Sequence, residues 1–127
     1  MEIVRMYGPL VGRVLLALIF IIAGFGKLTG FEGTVGYIQS VGLPAPQLAA
    51  IVAIVVELGG GIMLVIGWKA RWAAAALFIF VLVASCVFHP FWAVPAEKIQ
   101  FMKNLAIMGG MLYILAYGSG PLSVDKR

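Results

Sequence analysis

Residues 47–66 read QLAAIVAIVVELGGGIMLVI, twenty positions with a single charge at Glu57. About 20 helical residues cross a hydrocarbon core of roughly 30 Å. The run is continuous and does not alternate at period two, so it reads as a membrane-spanning helix and not as a barrel strand. Three more runs of this kind flank it, over residues 10–28, 72–88 and 101–117. Of all 127 residues, 63% are hydrophobic and 11% charged, against roughly 25% charged in an ordinary soluble domain. Too little polar sequence remains to coat a water-facing surface, so the surrounding solvent is lipid. The expected fold is all-α, a four-transmembrane-helix antiparallel bundle forming one domain over residues 1–127.

The connections refine this. Only Gly67 to Arg71 separate the second and third runs, which makes those helices neighbours in a tight hairpin. Thr29-Gly30-Phe31-Glu32 has the form of a capping box, and Phe31, Val35, Ile38 and Val41 then recur at helical spacing before Gly42 and Pro44. A short interfacial helix between helices 1 and 2 is expected there. His89 to Pro95 ends the third run with irregular, aromatic chain that could form a lid over the outer mouth of the bundle. The first run carries Arg13 and Lys27 and lacks a small-residue cleavage site, so it reads as a retained helix rather than a secretory signal. Arg5, Lys69, Arg71, Lys126 and Arg127 fall on one side against Lys98 on the other, which places both termini in the cytoplasm.

Several function classes drop out. The net charge of +4 is a topology signal and an attraction to anionic lipid, with no basic stripe interleaved with aromatics, so nucleic acid is not an expected partner. A single cysteine, Cys86, excludes an internal disulfide, a CxxC pair and a cysteine metal cluster. With one histidine and no nearby ligand set, no metal site is expected, and without paired haem-type histidines the chain offers no covalently bound cofactor. Gly59 to Gly61 lie inside an apolar run without a following Lys-Ser/Thr, which is not a nucleotide loop.

The informative residues are ionisable groups inside apolar runs, where a charge costs about 2.5 to 3.5 kcal/mol on insertion scales. They are Arg13, Lys27, Glu57 and Lys103, with Asn104 beside the last and Ser85 one turn from His89. A step of about 100° per residue puts Arg13, Ala17, Phe20, Gly24 and Lys27 on one stripe of the first helix. Ala50, Ala53, Glu57 and Gly61 share a face of the second, where small residues allow close helix approach. Rise per residue sets Arg13 roughly 9 Å below Glu57 and Lys103 roughly 8 Å above it, so either cation could reach the acid. Lys27, Lys103, Asn104 and His89, with Trp92 nearby, then surround a polar pocket in the outer half of the bundle. Met108, Met111, Gly109 and Gly110 read as packing residues, and Cys86 as inert filler.

Arg13, Phe20, Gly24, Lys27-Leu28, Phe31, Tyr37, Leu43-Pro44, Glu57 with its glycines and Gly67 form an ordered set, continued by His89 to Trp92, Gln100 to Ala106, Gly109-Gly110 and Gly118 to Asp125. That set, over residues 11–125, resembles the DoxX family. The resemblance implies a bacterial-type inner-membrane four-helix protein linked to quinone or thiol redox chemistry. Family members are named for subunits associated with thiosulfate:quinone oxidoreductase and terminal oxidase systems, and no catalytic set carries over residue by residue.

Three functions fit the residues. In a quinone-linked redox subunit, Lys27, Lys103 and His89 hydrogen-bond a quinone or an anionic substrate, Glu57 relays protons and Trp92 packs on the ring. In a small proton-coupled transporter, Glu57 is the central acid, although the small multidrug exporters carry theirs on the first helix. In a non-enzymatic assembly or scaffold subunit, the charges only fix the bundle. Beyond the lipid bilayer, the partners these readings call for are a redox partner subunit and a second copy of the chain in a homo-oligomer.

Overall fold

The computed structural model describes residues 1–125; Lys126 and Arg127, which entered the orientation count, lie outside the described residues. Helix α1 spans Glu2–Thr29, α2 Phe31–Val41, α3 Pro46–Ile66, α4 Ala70–Phe88 and α5 Lys98–Tyr117, with a 3-10 turn at Pro95–Glu97 ahead of α5. The fold is all-helical, and α1, α3, α4 and the segment ending in α5 are each long and apolar enough to span a membrane. The short helix α2 lies between the first two spans, where Phe31, Val35 and Ile38 turn inward and Val41 stays exposed.

Three local expectations are corrected. α1 begins at Glu2, not residue 10, because Gly8 and Pro9 do not break it. Pro9 cannot donate to the carbonyl of Arg5, but Arg5 is exposed, where water can take that role. The capping box does not form. Thr29 instead donates from Oγ1 back to the carbonyls of Phe25 and Gly26, at 3.1 and 3.2 Å, and Gly30 stands at the N-terminus of α2 without a side-chain cap. α3 is also not uniform, since Val55–Gly59 forms one π-helical turn around Glu57.

Packing follows the small-residue stripes. α1 buries Arg13, Ala17, Phe20 and Gly24, and α4 buries Ala70, Ala73, Ala74, Leu77, Val81 and Ser85. Met108 and Met111 on α5 join this core, and Gly110 fits against Leu16 of α1. α1 and α3 run antiparallel in a register read from their contacts: Gly24 lies against Glu57 and Leu58, Gly61 against Ile21, and Gly67 against Arg13. α3 packs on α4 along residues 55–66, whereas its first half packs on α1 and α2.

The end of the bundle that holds the α3–α4 turn is tied by Arg13. Its guanidinium, 1% exposed, donates from Nη1 to the carbonyls of Leu64 (2.7 Å) and Val65 (3.0 Å) and from Nη2 to that of Leu122 (2.6 Å). Residues after α5 return along this end. The amides of Val124 and Asp125 donate to the carbonyls of Ile66 and Gly67, and the Asp125 carboxylate accepts from the amides of Lys69 and Ala70 at 2.9 Å each. Gly67 has φ +71, and a Cβ there would meet Arg13 Nη1 at 2.8 Å, so the turn needs glycine on both counts.

Replacing Arg13 with Ala leaves these carbonyls without their donor. Arg13→Ala is expected to lower unfolding stability in detergent by about 3 kcal/mol, read from denaturant midpoints, with Arg13→Lys intermediate. For topology, a fluorescent protein fused after residue 127 is expected to fluoresce and alkaline phosphatase fused after Trp92 to be active. The reverse pattern would overturn the cytoplasmic assignment of the Arg5 and Lys69 end.

Candidate functional site

At the opposite end the helices separate. A cavity of about 620 Å³ lies between α1, α3, α4 and α5, closed on one side by α2 and by Leu43, Pro44 and Ala45. Of the irregular stretch from His89 to Pro95, expected to form a lid, only His89 borders the cavity. Most of the wall is apolar, from Phe20, Val52, Phe80, Val81 and Ile107 among others. Tyr37 of α2 and Phe88 of α4 both line it, and their rings stack with centroids 5.3 Å apart.

Polar groups reach the cavity from two walls. On the first, Lys27 Nζ lies 2.6 Å from Glu57 Oε1, the acid nearly buried and the lysine about one-third exposed. The contact is between charges, without hydrogen-bond alignment at Oε1. On the second, Gln100 Nε2 donates to Asn104 Oδ1 (3.0 Å), Asn104 Nδ2 to Ser85 Oγ (2.9 Å), and Ser85 Oγ to the carbonyl of Val81 (2.6 Å). His89 lines the rim and pairs through Nδ1 with Glu97 of the 3-10 turn.

Of the residues singled out in the sequence, Lys27, Glu57, His89 and Asn104 meet at this cavity, and three do not. Arg13 is at the other end of the bundle, bound to carbonyls. Lys103 is exposed, because a rotation of about 100° separates it from the buried Asn104. Trp92 is 60% exposed and packs edge-on against Phe91 and Phe101 outside the cavity. The partner of Glu57 is therefore Lys27, and neither Arg13 nor Lys103. Cys86 is exposed on the outer face of α4 rather than packed inside.

A model of the DoxX family matches residues 8–90. The chain is 43% identical to inner membrane protein YphA of Escherichia coli, over 93% of this chain and 88% of that protein, and 38% identical to inner membrane protein YqjF of the same organism, over 94% and 90%. It belongs to the DoxX family. The putative oxidoreductase CatD of Bacillus subtilis is 35% identical over 63% of this chain and 58% of its own length. No solved structure matches the chain. Its relatives and its four apolar helices make it an integral inner-membrane protein.

The DoxX match takes in Lys27, Glu57, Tyr37 and His89, while Gln100 and Asn104 lie beyond it on α5. Gln100 and Tyr37 were not picked out as site residues from the sequence. A signal for Gln100 existed, since it stands four residues before Asn104 on one helical face.

Gly24 sets how closely α1 brings Lys27 to Glu57. A Cβ there would meet Leu58 Cγ at 2.8 Å, the Leu58 amide nitrogen at 3.1 Å and Glu57 Cβ at 3.2 Å, so backbone must move. Gly24→Ala is expected to cost about 1–3 kcal/mol in unfolding stability by forcing α1 and α3 apart. Gly26→Ala, where the Cβ meets nothing within 4 Å, is expected to be neutral in the same assay.

Proposed function

We propose that this DoxX-family protein is a quinone-binding subunit of an inner-membrane redox system. The observation that carries the reading is a cavity between the four apolar spans whose wall is mostly apolar, with the Lys27–Glu57 pair on one side, Gln100 and Asn104 on another, and Thr34, Tyr37 and His89 as its other polar residues. Leu48, Val52 and Val83 line it and are each half-exposed or more. They mark an opening between α3 and α4 on the lipid-facing side. A ligand entering there comes from the bilayer, and a molecule with an apolar ring and two carbonyl oxygens matches the wall. The relative CatD is named a putative oxidoreductase, which is in keeping with a redox role but names no quinone.

The residues fit such a guest. The Lys27 ammonium and the Asn104 and Gln100 amides offer N–H donors, from opposite walls, to a carbonyl oxygen at either end of a ring. Tyr37 and Phe88 supply aromatic faces for it to pack against. A bound quinone supplies the two-electron, two-proton couple. Glu57, next to the cavity and held by Lys27, is the group able to hold or hand on a proton, and His89 with Glu97 sits at the rim. Electrons would come from a partner subunit.

Short-tailed ubiquinone and menaquinone analogues, titrated against the protein in nanodiscs, are expected to bind saturably. Asn104→Leu and Glu57→Gln should each weaken binding roughly tenfold, the loss of one hydrogen bond or charge contact. Lys103→Ala should leave it unchanged. Absence of saturable binding to folded wild-type protein overturns the reading in favour of a scaffold subunit. Proton flux on addition of a solute, lost in Glu57→Gln and without quinone binding, would establish the transporter instead.

A further inference from the structure

A second, smaller cleft of about 220 Å³ lies at the other end of the bundle, lined by Lys69, Arg71, Trp72, Gly118 and Asp125. We infer that it binds the phosphodiester headgroup of an acidic phospholipid. Among the described residues neither Lys69 nor Arg71 forms an ion pair, and both side chains are exposed. The carboxylate that shares the cleft, Asp125, accepts from the backbone amides of Lys69 and Ala70 at 2.9 Å each. Those bonds direct the carboxylate at the start of α4, while the side chains of Lys69 and Arg71 stand exposed to an outside anion. The same bonds hold Lys69 at φ +48, a strained conformation for a residue with a Cβ, and so fix where its side chain leaves the turn.

Depth argues for lipid. Trp68 and Trp72 flank the cations, Trp72 is 75% exposed, and Lys69 Nζ sits 4.9 Å from the Trp68 ring. Tryptophans of this kind lie at headgroup level. A guanidinium reads two phosphate oxygens at once and an ammonium adds a point charge, which together suit a phosphodiester. Below the cleft, Ile79 of α4 and Tyr113 of α5 are exposed along the surface on which acyl chains can run. The site is distant from the cavity and does not depend on the quinone reading.

Native mass spectrometry of the full chain released from micelles containing phosphatidylglycerol and phosphatidylcholine tests this. Wild type is expected to retain phosphatidylglycerol selectively, and Lys69→Gln/Arg71→Gln to lose that selectivity by roughly 25-fold, about fivefold for each cation. Arg71→Gln alone, away from the strained position, should show the fivefold loss even if the double variant folds poorly. Lys98→Gln/Lys103→Gln, at the far end, should bind as wild type. Unchanged selectivity in both Arg71→Gln and the double variant overturns the site. Displacement of the lipid by inorganic phosphate at equal concentration would assign the cleft to free phosphate and overturn the lipid assignment.

Discussion

The buried guanidinium of Arg13 is the contact on which the closed end of the bundle depends. A carbonyl at the end of a membrane helix has no further turn to bond and, where it is buried in protein, no water to replace it. The last turn of α3 ends in this situation, and the helix dipole adds partial negative charge there. One arginine answers both needs by donating to Leu64, Val65 and Leu122, which joins α1, α3 and the segment after α5 through a single planar group. Three carbonyl oxygens around it, with the negative charge of Asp125 nearby, offset the cost of burying that charge. Asp125 completes the arrangement from the opposite sign, accepting from the unpaired amides at the start of α4.

The other end relies on charge in a different way. Lys27 and Glu57 face each other across the α1–α3 contact with few other partners, and they border open space rather than packed atoms. An apolar wall keeps the local dielectric low, so the pair attracts strongly, but an incoming polar group competes with it on equal terms. Both terminal nitrogens of Arg13 are engaged by fixed backbone carbonyls, whereas Lys27 retains exposure and donor capacity. The same physical ingredient, a cation inside the membrane, is thus structural at one end and available at the other.

Sequence periodicity identified the stripes but not their register. A step of 100° per residue was enough to place Arg13, Ala17, Phe20 and Gly24 on the buried face of α1, and Ala50, Ala53, Glu57 and Gly61 on that of α3. Which residues meet depends on the sliding of one helix along another, and that is decided by Gly24 seating on Leu58 and Gly61 on Ile21. A first span read from residue 10 is centred near Ile19, which sets Lys27 nearer the outer surface than Glu57 and groups it with Lys103, Asn104 and His89. Lys103 failed for a simpler reason: adjacency to Asn104 in the chain is a quarter-turn apart on a helix. The π turn and the return of the chain after α5 to Arg13 left no periodic trace, since both arise from packing between distant segments.

α3 carries the division between the two ends. Its second half is locked, with Gly60 against Leu77 of α4 and Gly61 against Ile21 of α1. Its first half leans on α1 and the short α2, and is free of α4 where the cavity opens. The π turn at Val55–Gly59 falls at the boundary and takes up an extra residue there, with Glu57 at its centre. A regular helix would have to extend one packing face from end to end, either filling the cavity or loosening the core. A local break in the hydrogen-bond pattern lets one helix serve as strut and as cavity wall, and sets the acid at the point where the strut ends.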